Sequence, residues 1–214
     1  MLLSLRNVAV DRGERRVIDD LSLDVSSGEA VVLRGPNGAG KTTLIRAIAG
    51  LLRPAAGTIE LTDDVAADAG RAEEPETVSE RCHYVGHQNA IAASLTVREN
   101  LAFWANYLGA SDAGALDKAL TGFDLEPLAD VPAAYLSAGQ KRRAALARLA
   151  VAERPLWLLD EPTVSLDAAS TARLAAVIDG HTAKGGIVVA ATHLPLGLRS
   201  ERIVTLGRGR EAAS

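Results

Sequence analysis

Several residue types that other protein classes require are scarce in this sequence. One cysteine, Cys82, among 214 residues excludes an internal disulfide, which suits a reducing compartment, and we expect it to be a small buried residue. Aromatic residues make up only 3% of the chain, and no apolar run approaches the ~20 residues that a membrane-spanning helix needs. The first residues have no basic region and no long apolar stretch, so we expect no signal peptide.

Positive charge is also not in excess, because the formal net charge is −4. The overall charge therefore gives no support for nucleic-acid binding, and we expect none. Hydrophobic residues make up 48% of the chain, which is enough for a substantial core, and the length suits one large α/β domain or two small ones. We expect a chain that is soluble by itself and that reaches a membrane through a partner protein.

A glycine-rich segment matches the phosphate-binding loop pattern G-x-x-x-x-G-K-[ST] at every fixed position. An apolar β-branched run at residues 30–33 precedes it as a predicted strand, and apolar residues at helical spacing follow it up to Gly50. Glycines let successive N–H groups turn towards phosphate oxygens, with Lys41 on the β- and γ-phosphates and the Thr42 hydroxyl on Mg²⁺. The segment predicts a nucleoside triphosphate site made of Gly35, Pro36, Asn37, Gly38, Ala39, Gly40, Lys41, Thr42 and Thr43.

Periodicity along the rest of the chain predicts alternating strands and helices. Strands are predicted at residues 3–10, 17–25, 57–61, 82–85, 156–160, 187–191 and 202–206, and helices at 96–108, 112–122, 141–152 and 168–178. The region 95–152 is therefore helical and inserts between strands. The acidic, alanine-rich stretch 62–80 has no apolar face, so we expect an exposed loop or a partly disordered insert there. We expect the tail from 208 to 214 to be frayed.

Two adjacent carboxylates, Asp160 and Glu161, end the apolar run 156–159. Because neighbours on a strand point to opposite faces, one carboxylate can hold Mg²⁺ while the other points elsewhere. We assign the metal to Asp160. Glu161 is placed as the general base that polarises an attacking water. An isolated Asp-Glu pair is more often a solvated turn, but the buried run and the phosphate loop favour the functional interpretation.

A further segment, Leu-Ser-Ala-Gly-Gln at residues 136–140, precedes a predicted helix. Ser137 can cap this helix, and Gly139 allows close approach to its N-terminus. Three cations, Lys141, Arg142 and Arg143, follow in the first turn, where they oppose the helix dipole unless an anion docks there. The arrangement favours an anion docked at this end, although the segment taken alone could be an ordinary capped helix.

Residues 136–140 resemble the signature motif L-S-G-G-Q of ATP-binding cassette (ABC) ATPases, with Ala138 in place of the first glycine. Gln88 resembles the family's Q-loop residue, residues 164–167 its D-loop, and His193 its H-loop residue, in the family's order. The resemblance covers essentially residues 2–206. It implies the P-loop NTPase fold of the ABC type, a single α/β domain with a mixed sheet core from residues 1–94 and 153–214. It also implies an inserted α-helical subdomain at about 95–152 and an N-terminal antiparallel β region.

The resemblance also implies a mechanism in which two copies form a head-to-tail homodimer with two ATP between them. Each signature segment then contacts the ATP that the partner's phosphate loop binds, and the three cations after the segment face that triphosphate. An isolated monomer is therefore expected to bind ATP but to hydrolyse it poorly. The implied roles are catalysis by Glu161, His193 and Lys41, binding of Mg²⁺ by Thr42, Gln88 and Asp160, and contact with ATP or the partner by Ser137, Gly139, Gln140 and Asp167.

One departure from the family concerns the adenine base. ABC ATPases usually stack adenine on an aromatic residue in the loop after the first strand, but residues 11–16 contain no aromatic side chain. Arg12 is the candidate replacement, because a guanidinium can stack on a base. Selectivity for adenine is left open.

Three details of the sequence resemble the ATPase subunits of bacterial cytochrome c maturation systems, the haem-exporter type. They are residues 84–88, residues 95–104, and the combination of residues 136–140 with residues 154–162. This implies a peripheral protein at the cytoplasmic face of the inner membrane, bound to integral membrane transporter subunits near Gln88 and the helix from Thr96. On that helix, Phe103, Trp104 and Tyr107 form either a partner surface or, as is more usual, internal packing. Hydrolysis would release or deliver haem to a periplasmic chaperone.

Two alternatives to this function remain. The chain could be the ATPase subunit of another ABC exporter, for lipid, drug or peptide, with the same catalytic residues. A soluble, non-transport ABC ATPase acting on DNA or ribosomes suits the length and charge less well. We expect no direct haem binding, because His83, His87, His181 and His193 share no ligand arrangement.

Overall fold

The structure is a computed structural model that describes residues 1–63, 77–110, 112 and 114–207. Most of the predicted acidic insert and the tail from 208 lie outside these residues. The strands are β1 (Leu2–Arg12), β2 (Arg15–Ser26), β3 (Ala30–Arg34), β4 (Ala56–Thr62), β5 (Cys82–Val85), β6 (Leu156–Asp160), β7 (Ile187–Ala191) and β8 (Arg202–Thr205). The helices are α1 (Lys41–Ile48), α2 (Val97–Tyr107), α3 (Ala115–Gly122), α4 (Ala138–Ala147) and α5 (Ala168–Ala183), with 3₁₀ turns at Glu126–Leu128, Ala133–Tyr135 and Arg148–Ala150.

The strands form two sheets with different pairing. An antiparallel sheet has the order β2-β1-β4, and a parallel sheet has the order β5-β6-β7-β3-β8. Parallel strands have their carboxyl ends at the same edge, so the loops that follow β3, β5, β6 and β7 meet there. The predicted α/β fold with an N-terminal antiparallel region is confirmed.

Successive residues of the parallel strands face two different cores. In β3, Val32 packs into one core, while Val31 and Leu33 pack into the other. The first core lies under α2 to α5, and the second joins the parallel sheet to α1 and the antiparallel sheet. Both faces of β3, β6 and β7 are covered, which explains why their sequences are nearly continuous apolar runs. Cys82 is buried as expected, and burial raises the pKa of its thiol to about 11.

Helices α2, α3 and α4 follow β5 and precede β6, in the region predicted to be helical. A capping box starts α2: the Glu99 N–H donates to Thr96 Oγ1 (3.1 Å), and the Thr96 N–H donates to Glu99 Oε2 (2.8 Å). Helix α5 continues past its predicted end at 178 to Ala183, and Gly185 with φ of 86° follows it. Among the described residues, no helix has the length and apolar character needed to cross a membrane.

Candidate nucleotide site

The phosphate loop connects β3 to α1 by a backbone that glycine makes possible. Gly35, Gly38 and Gly40 have φ values of 145°, 82° and 95°. A Cβ on Gly40 would lie 2.9 Å from Val17 Cγ1, and one on Gly35 would collide with the Leu206 carbonyl. Larger side chains are thus excluded by sterics as well as by conformation. The loop ends at the N-terminus of α1, where free N–H groups favour an anion.

Lys41 and Thr42, the first residues of α1, have different local partners. The Lys41 ammonium donates to the Gly35 carbonyl (2.7 Å) and the Pro36 carbonyl (3.1 Å), so its charge lies over the loop. The Thr42 hydroxyl donates to Asp160 Oδ1 at 3.0 Å. The phosphate loop and the end of β6 are therefore in direct contact.

Asp160 is buried, and this burial raises the pKa of its carboxyl, although the Thr42 hydrogen bond acts in the opposite direction. Mg²⁺ prefers oxygen ligands and commonly combines one or two carboxylates with substrate phosphates and water. A threonine hydroxyl and a carboxylate held together at the end of the phosphate loop fit that ion. Gln88, the third predicted ligand, lies three residues after β5 at the same sheet edge and is exposed.

Glu161 follows β6 in a left-handed conformation, with φ of 49°. The prediction that strand alternation separates the two carboxylates is therefore wrong, because a turn after the strand separates them. The Glu161 N–H donates to the Ala191 carbonyl (2.7 Å) at the end of β7. Its carboxylate lies beside His193, whose Nδ1 is 3.1 Å from Oε1 and 3.0 Å from Oε2. The structure thus brings the predicted base and the predicted γ-phosphate ligand together.

The signature segment forms the N-terminus of α4. The Gln140 N–H donates to Ser137 Oγ (3.2 Å), and the Ser137 N–H donates to Gln140 Oε1 (2.8 Å). The predicted ATP ligand Gln140 is thus part of the helix cap. A Cβ on Gly139 would lie 2.8 Å from the Ser165 carbonyl, so glycine allows this helix start to pack against the loop before α5. Asp167 caps α5, and the hydrogen bond from the Ser170 N–H (2.7 Å) lowers the pKa of its carboxyl.

The expectation that Arg142 and Arg143 face a triphosphate is wrong. Arg142 is buried and donates to backbone carbonyls of the loops after β5 and β6. Arg143 donates to the Phe123 and Asp124 carbonyls and pairs with the Asp124 carboxylate at 2.9 Å. Both guanidinium groups are occupied by the chain itself, away from the free N–H groups of α4. The burial of Arg142 had a signal in the sequence: it lies four residues before Leu146, and residues four apart share one face of a helix, here the apolar face.

The remaining predicted residues lie on the surface. Arg12 is exposed at the end of β1, before the turn at Gly13 (φ of 64°). On α2, the predicted aromatic group divides into two kinds. Phe103 and Tyr107 are 57% and 72% exposed with nearly parallel rings, while Trp104 is partly buried beneath the Arg148 guanidinium, 4.7 Å from its ring centroid.

The histidines also fall into two groups. His87 and His193 are exposed at the sheet edge described above. His181 stacks on Trp157 with a centroid distance of 3.8 Å, and His83 is buried with its Nε2 2.8 Å from the Ala152 carbonyl. Burial lowers the pKa of both His83 and His181 to about 4. These two imidazoles are therefore neutral near pH 7.

Comparison with known proteins decides the family, because the sequence pattern of the ABC transporter family matches residues 18–164. The chain belongs to the ABC transporter family. It is 48% identical over 204 residues to the cytochrome c biogenesis ATP-binding export protein CcmA of Rhodopseudomonas palustris, which covers 95% of this chain and 97% of that protein. The protein of the same name from Brucella melitensis is 46% identical over 211 residues, covering 98% of this chain and 93% of that one.

Solved ABC structures share the fold of this family member. An ATP-binding subunit of an ABC transporter is 30% identical, with a TM-score of 0.83 over 100% of this chain and 89% of that one. The ATP-binding cassette MJ0796, a dimer in a post-hydrolysis state bound to ADP and Pi, is 26% identical, with a TM-score of 0.78 over 95% and 94% of the two chains. Both comparisons agree with an ATP-hydrolysing ABC subunit.

Proposed function

We propose that this chain is the ATP-hydrolysing subunit of a membrane ABC transporter of the haem-exporter type, acting in cytochrome c biogenesis. The observation that supports this most is the convergence at one sheet edge of the phosphate loop, Asp160, Glu161 and His193, combined with full-length similarity to CcmA proteins. The name of those relatives supports a role in export for cytochrome c biogenesis, and the geometry of the site supports ATP hydrolysis.

The geometry supports the following roles for the residues of the nucleotide site. The loop N–H groups and Lys41 bind the triphosphate, and Thr42 and Asp160, with Gln88, would hold Mg²⁺, which neutralises phosphate charge when bound. Glu161 accepts a proton from the attacking water. His193, beside the Glu161 carboxylate, orients that carboxylate and contacts the γ-phosphate.

The site is completed by a second copy of the chain. Ser137 and Gly139 lie at a helix start whose free N–H groups attract an anion, and the neighbouring arginines are used elsewhere. A head-to-tail dimer would bring this helix start onto the γ-phosphate of the partner's ATP. The dimeric MJ0796 structure supports such an assembly.

The membrane partner would bind at the helical insert, for which we propose the boundaries 95–152. Phe103 and Tyr107 present an exposed aromatic surface on α2, and exposed aromatic side chains are typical of protein interfaces. The chain would then sit at the cytoplasmic face of the inner membrane, attached through integral membrane subunits.

The test is assembly of c-type cytochromes in a bacterium that lacks its own ATPase subunit for this process. The parent chain should restore covalent haem attachment, and Glu161→Gln should not, because a general base contributes about 10²- to 10⁴-fold to rate. Binding of ATP by Glu161→Gln should persist. A parent chain that hydrolyses ATP but restores no cytochrome would favour an exporter of another cargo, and a Glu161→Gln variant as active as the parent would exclude Glu161 as the base.

A further inference from the structure

Arg142 is a buried charge in the second turn of α4. It is 3% exposed, and burial lowers the pKa of its guanidinium. Within the part of the chain that the structure describes, its five hydrogen bonds all end on neutral oxygen atoms. The acceptors are the carbonyls of Gly86 (2.9 Å), Asp160 (3.1 Å), Glu161 (2.8 Å) and Pro162 (3.1 Å) and the side-chain oxygen of Asn89 (3.2 Å).

Three of these acceptors are consecutive carbonyls, those of Asp160, Glu161 and Pro162. They belong to the turn in which Glu161 has φ of 49°, a conformation that is unfavourable for a residue with a Cβ. Such a turn persists when the surroundings over-determine it. Here the Glu161 N–H is held by the Ala191 carbonyl and its carbonyl by Arg142, so both sides of the residue are fixed.

The same guanidinium holds the loop that follows β5. It binds the Gly86 carbonyl and Asn89, on either side of His87 and Gln88. A second buried arginine, Arg148, connects β5 to α2. It donates to the Tyr84 carbonyl in β5 and lies over the ring of Trp104 in α2. Trp104 in turn packs edge-on against the exposed Phe103 and Tyr107.

We infer that Arg142 is a positioning residue for ATP hydrolysis, which sets the backbone of Glu161 and ties it to the loop at residues 86–89. This inference rests on the proposed role of Glu161 as general base. The planar guanidinium is suited to the task because it directs several N–H groups at once to fixed acceptors, which the single ammonium of lysine does not. A displacement of the 86–89 loop would then move the catalytic carboxylate.

The experiment measures steady-state ATP hydrolysis by the full chain, with kcat and KM determined separately, for the parent, Arg142→Lys and Arg143→Lys. Arg143 is a matched control, since it is the next residue and its hydrogen bonds within the described part of the chain go to Phe123 and Asp124, outside residues 86–89 and 160–162. For Arg142→Lys we expect kcat to fall about 100-fold, the effect of a misplacement of about 1 Å, with KM changed less than about twofold. Arg143→Lys should keep the kcat of the parent.

Non-additivity with Glu161→Gln distinguishes positioning from general loss of structure. In single-turnover hydrolysis, adding Arg142→Lys to Glu161→Gln should lower the residual rate by less than about threefold, because the group that Arg142 positions has already been removed. A fall as large as in the parent background would overturn the inference. So would a normal kcat for Arg142→Lys, or an equal fall for Arg143→Lys.

Asn89→Ala is a second variant, and it keeps the argument testable if Arg142→Lys does not fold. It removes one acceptor and leaves the arginine in place, so we expect kcat to fall about two- to tenfold, in keeping with the loss of one hydrogen bond of ordinary strength. An unchanged kcat would exclude Asn89 from the proposed tie between Arg142 and the 86–89 loop. Absence of hydrolysis by the parent chain would instead contradict the proposed function.

Discussion

The Thr42 hydroxyl donates a hydrogen bond of 3.0 Å to Asp160 Oδ1, across 118 positions of the sequence. This contact joins the first turn of α1 to the end of β6. It places two oxygen ligands of the kind that Mg²⁺ prefers next to the loop that would bind the phosphates. The packing of the two elements thus brings together two of the residues for which we propose the Mg²⁺ site.

Replacement of Asp160 should impair Mg²⁺-dependent hydrolysis without lowering the free energy of unfolding. Burial raises the pKa of this carboxyl, so the folded state disfavours its ionised form, and the charge lowers the free energy of unfolding near pH 7. Asp160→Asn keeps an oxygen that can accept from Thr42, so we expect unfolding by urea to be unchanged or shifted to higher concentration. The Mg²⁺ concentration for half-maximal hydrolysis should rise at least about tenfold, because a charged ligand is lost. A destabilised variant with an unchanged Mg²⁺ requirement would contradict this prediction.

Mixing two inactive variants should restore activity if each nucleotide site combines two chains. Lys41→Ala removes the phosphate-loop cation, and Gly139→Val introduces a side chain where a Cβ would already lie 2.8 Å from the Ser165 carbonyl. In an equal mixture half of the dimers are mixed, and each mixed dimer has one intact site, so about a quarter of the parent rate should return. The control is each variant alone at the same total concentration. An inactive mixture of folded variants would contradict the composite site.

The base of the nucleotide should matter little. Arg12 is the exposed residue at the predicted base position, and a guanidinium stacks on adenine and guanine alike. We expect ATP and GTP to bind with dissociation constants within about tenfold, and Arg12→Ala to weaken both by a similar factor, since a cation–π contact contributes about 0.5–2 kcal/mol. Arg15→Ala, also exposed in the same hairpin, is the control. Loss of ATP binding alone in Arg12→Ala would show that this residue reads the base.

One buried and one partly buried histidine should make the protein acid-sensitive. Burial lowers the pKa of His83 and His181 to about 4, whereas an unfolded histidine has a pKa near 6.5. Between these values the unfolded state binds more protons than the folded state, so the free energy of unfolding rises with pH across about pH 4 to 6.5. For His83 the full effect is of the order of 3 kcal/mol. Urea unfolding at several pH values measures it.

The matched variant for this prediction is His83→Gln. Its side-chain amide can donate to the Ala152 carbonyl as the imidazole Nε2 does, but it does not titrate. The pH dependence of stability should become shallower, with the slope from His181 remaining. A slope equal to that of the parent would show that His83 does not contribute.

Much of the fold could be predicted because its signals are local. The strands at 82–85, 156–160 and 187–191 were predicted at the bounds that the structure gives. The last two are short, mainly apolar runs covered on both faces. The capping boxes at Thr96 and Ser137 are likewise fixed by residues three apart in sequence. The left-handed turn at Glu161 was missed, because glutamate gives no signal for a positive φ.

The sequence by itself determined the chemistry of the phosphate loop. Glycine is required at positions 35 and 40 by the positive φ angles there, and Lys41 and Thr42 follow at fixed positions at the start of a helix. The whole pattern lies within nine consecutive residues, so it can be recognised from the sequence alone. Tertiary structure alone decided what Arg142 does. Four of its five acceptors are main-chain carbonyls 18 to 56 positions away, and every residue has such a carbonyl. A hydrogen bond to a main-chain carbonyl does not depend on the side chain of the acceptor residue, so the sequence carries no signal for it. This is why a cation predicted to face a triphosphate holds the turn at Glu161 instead.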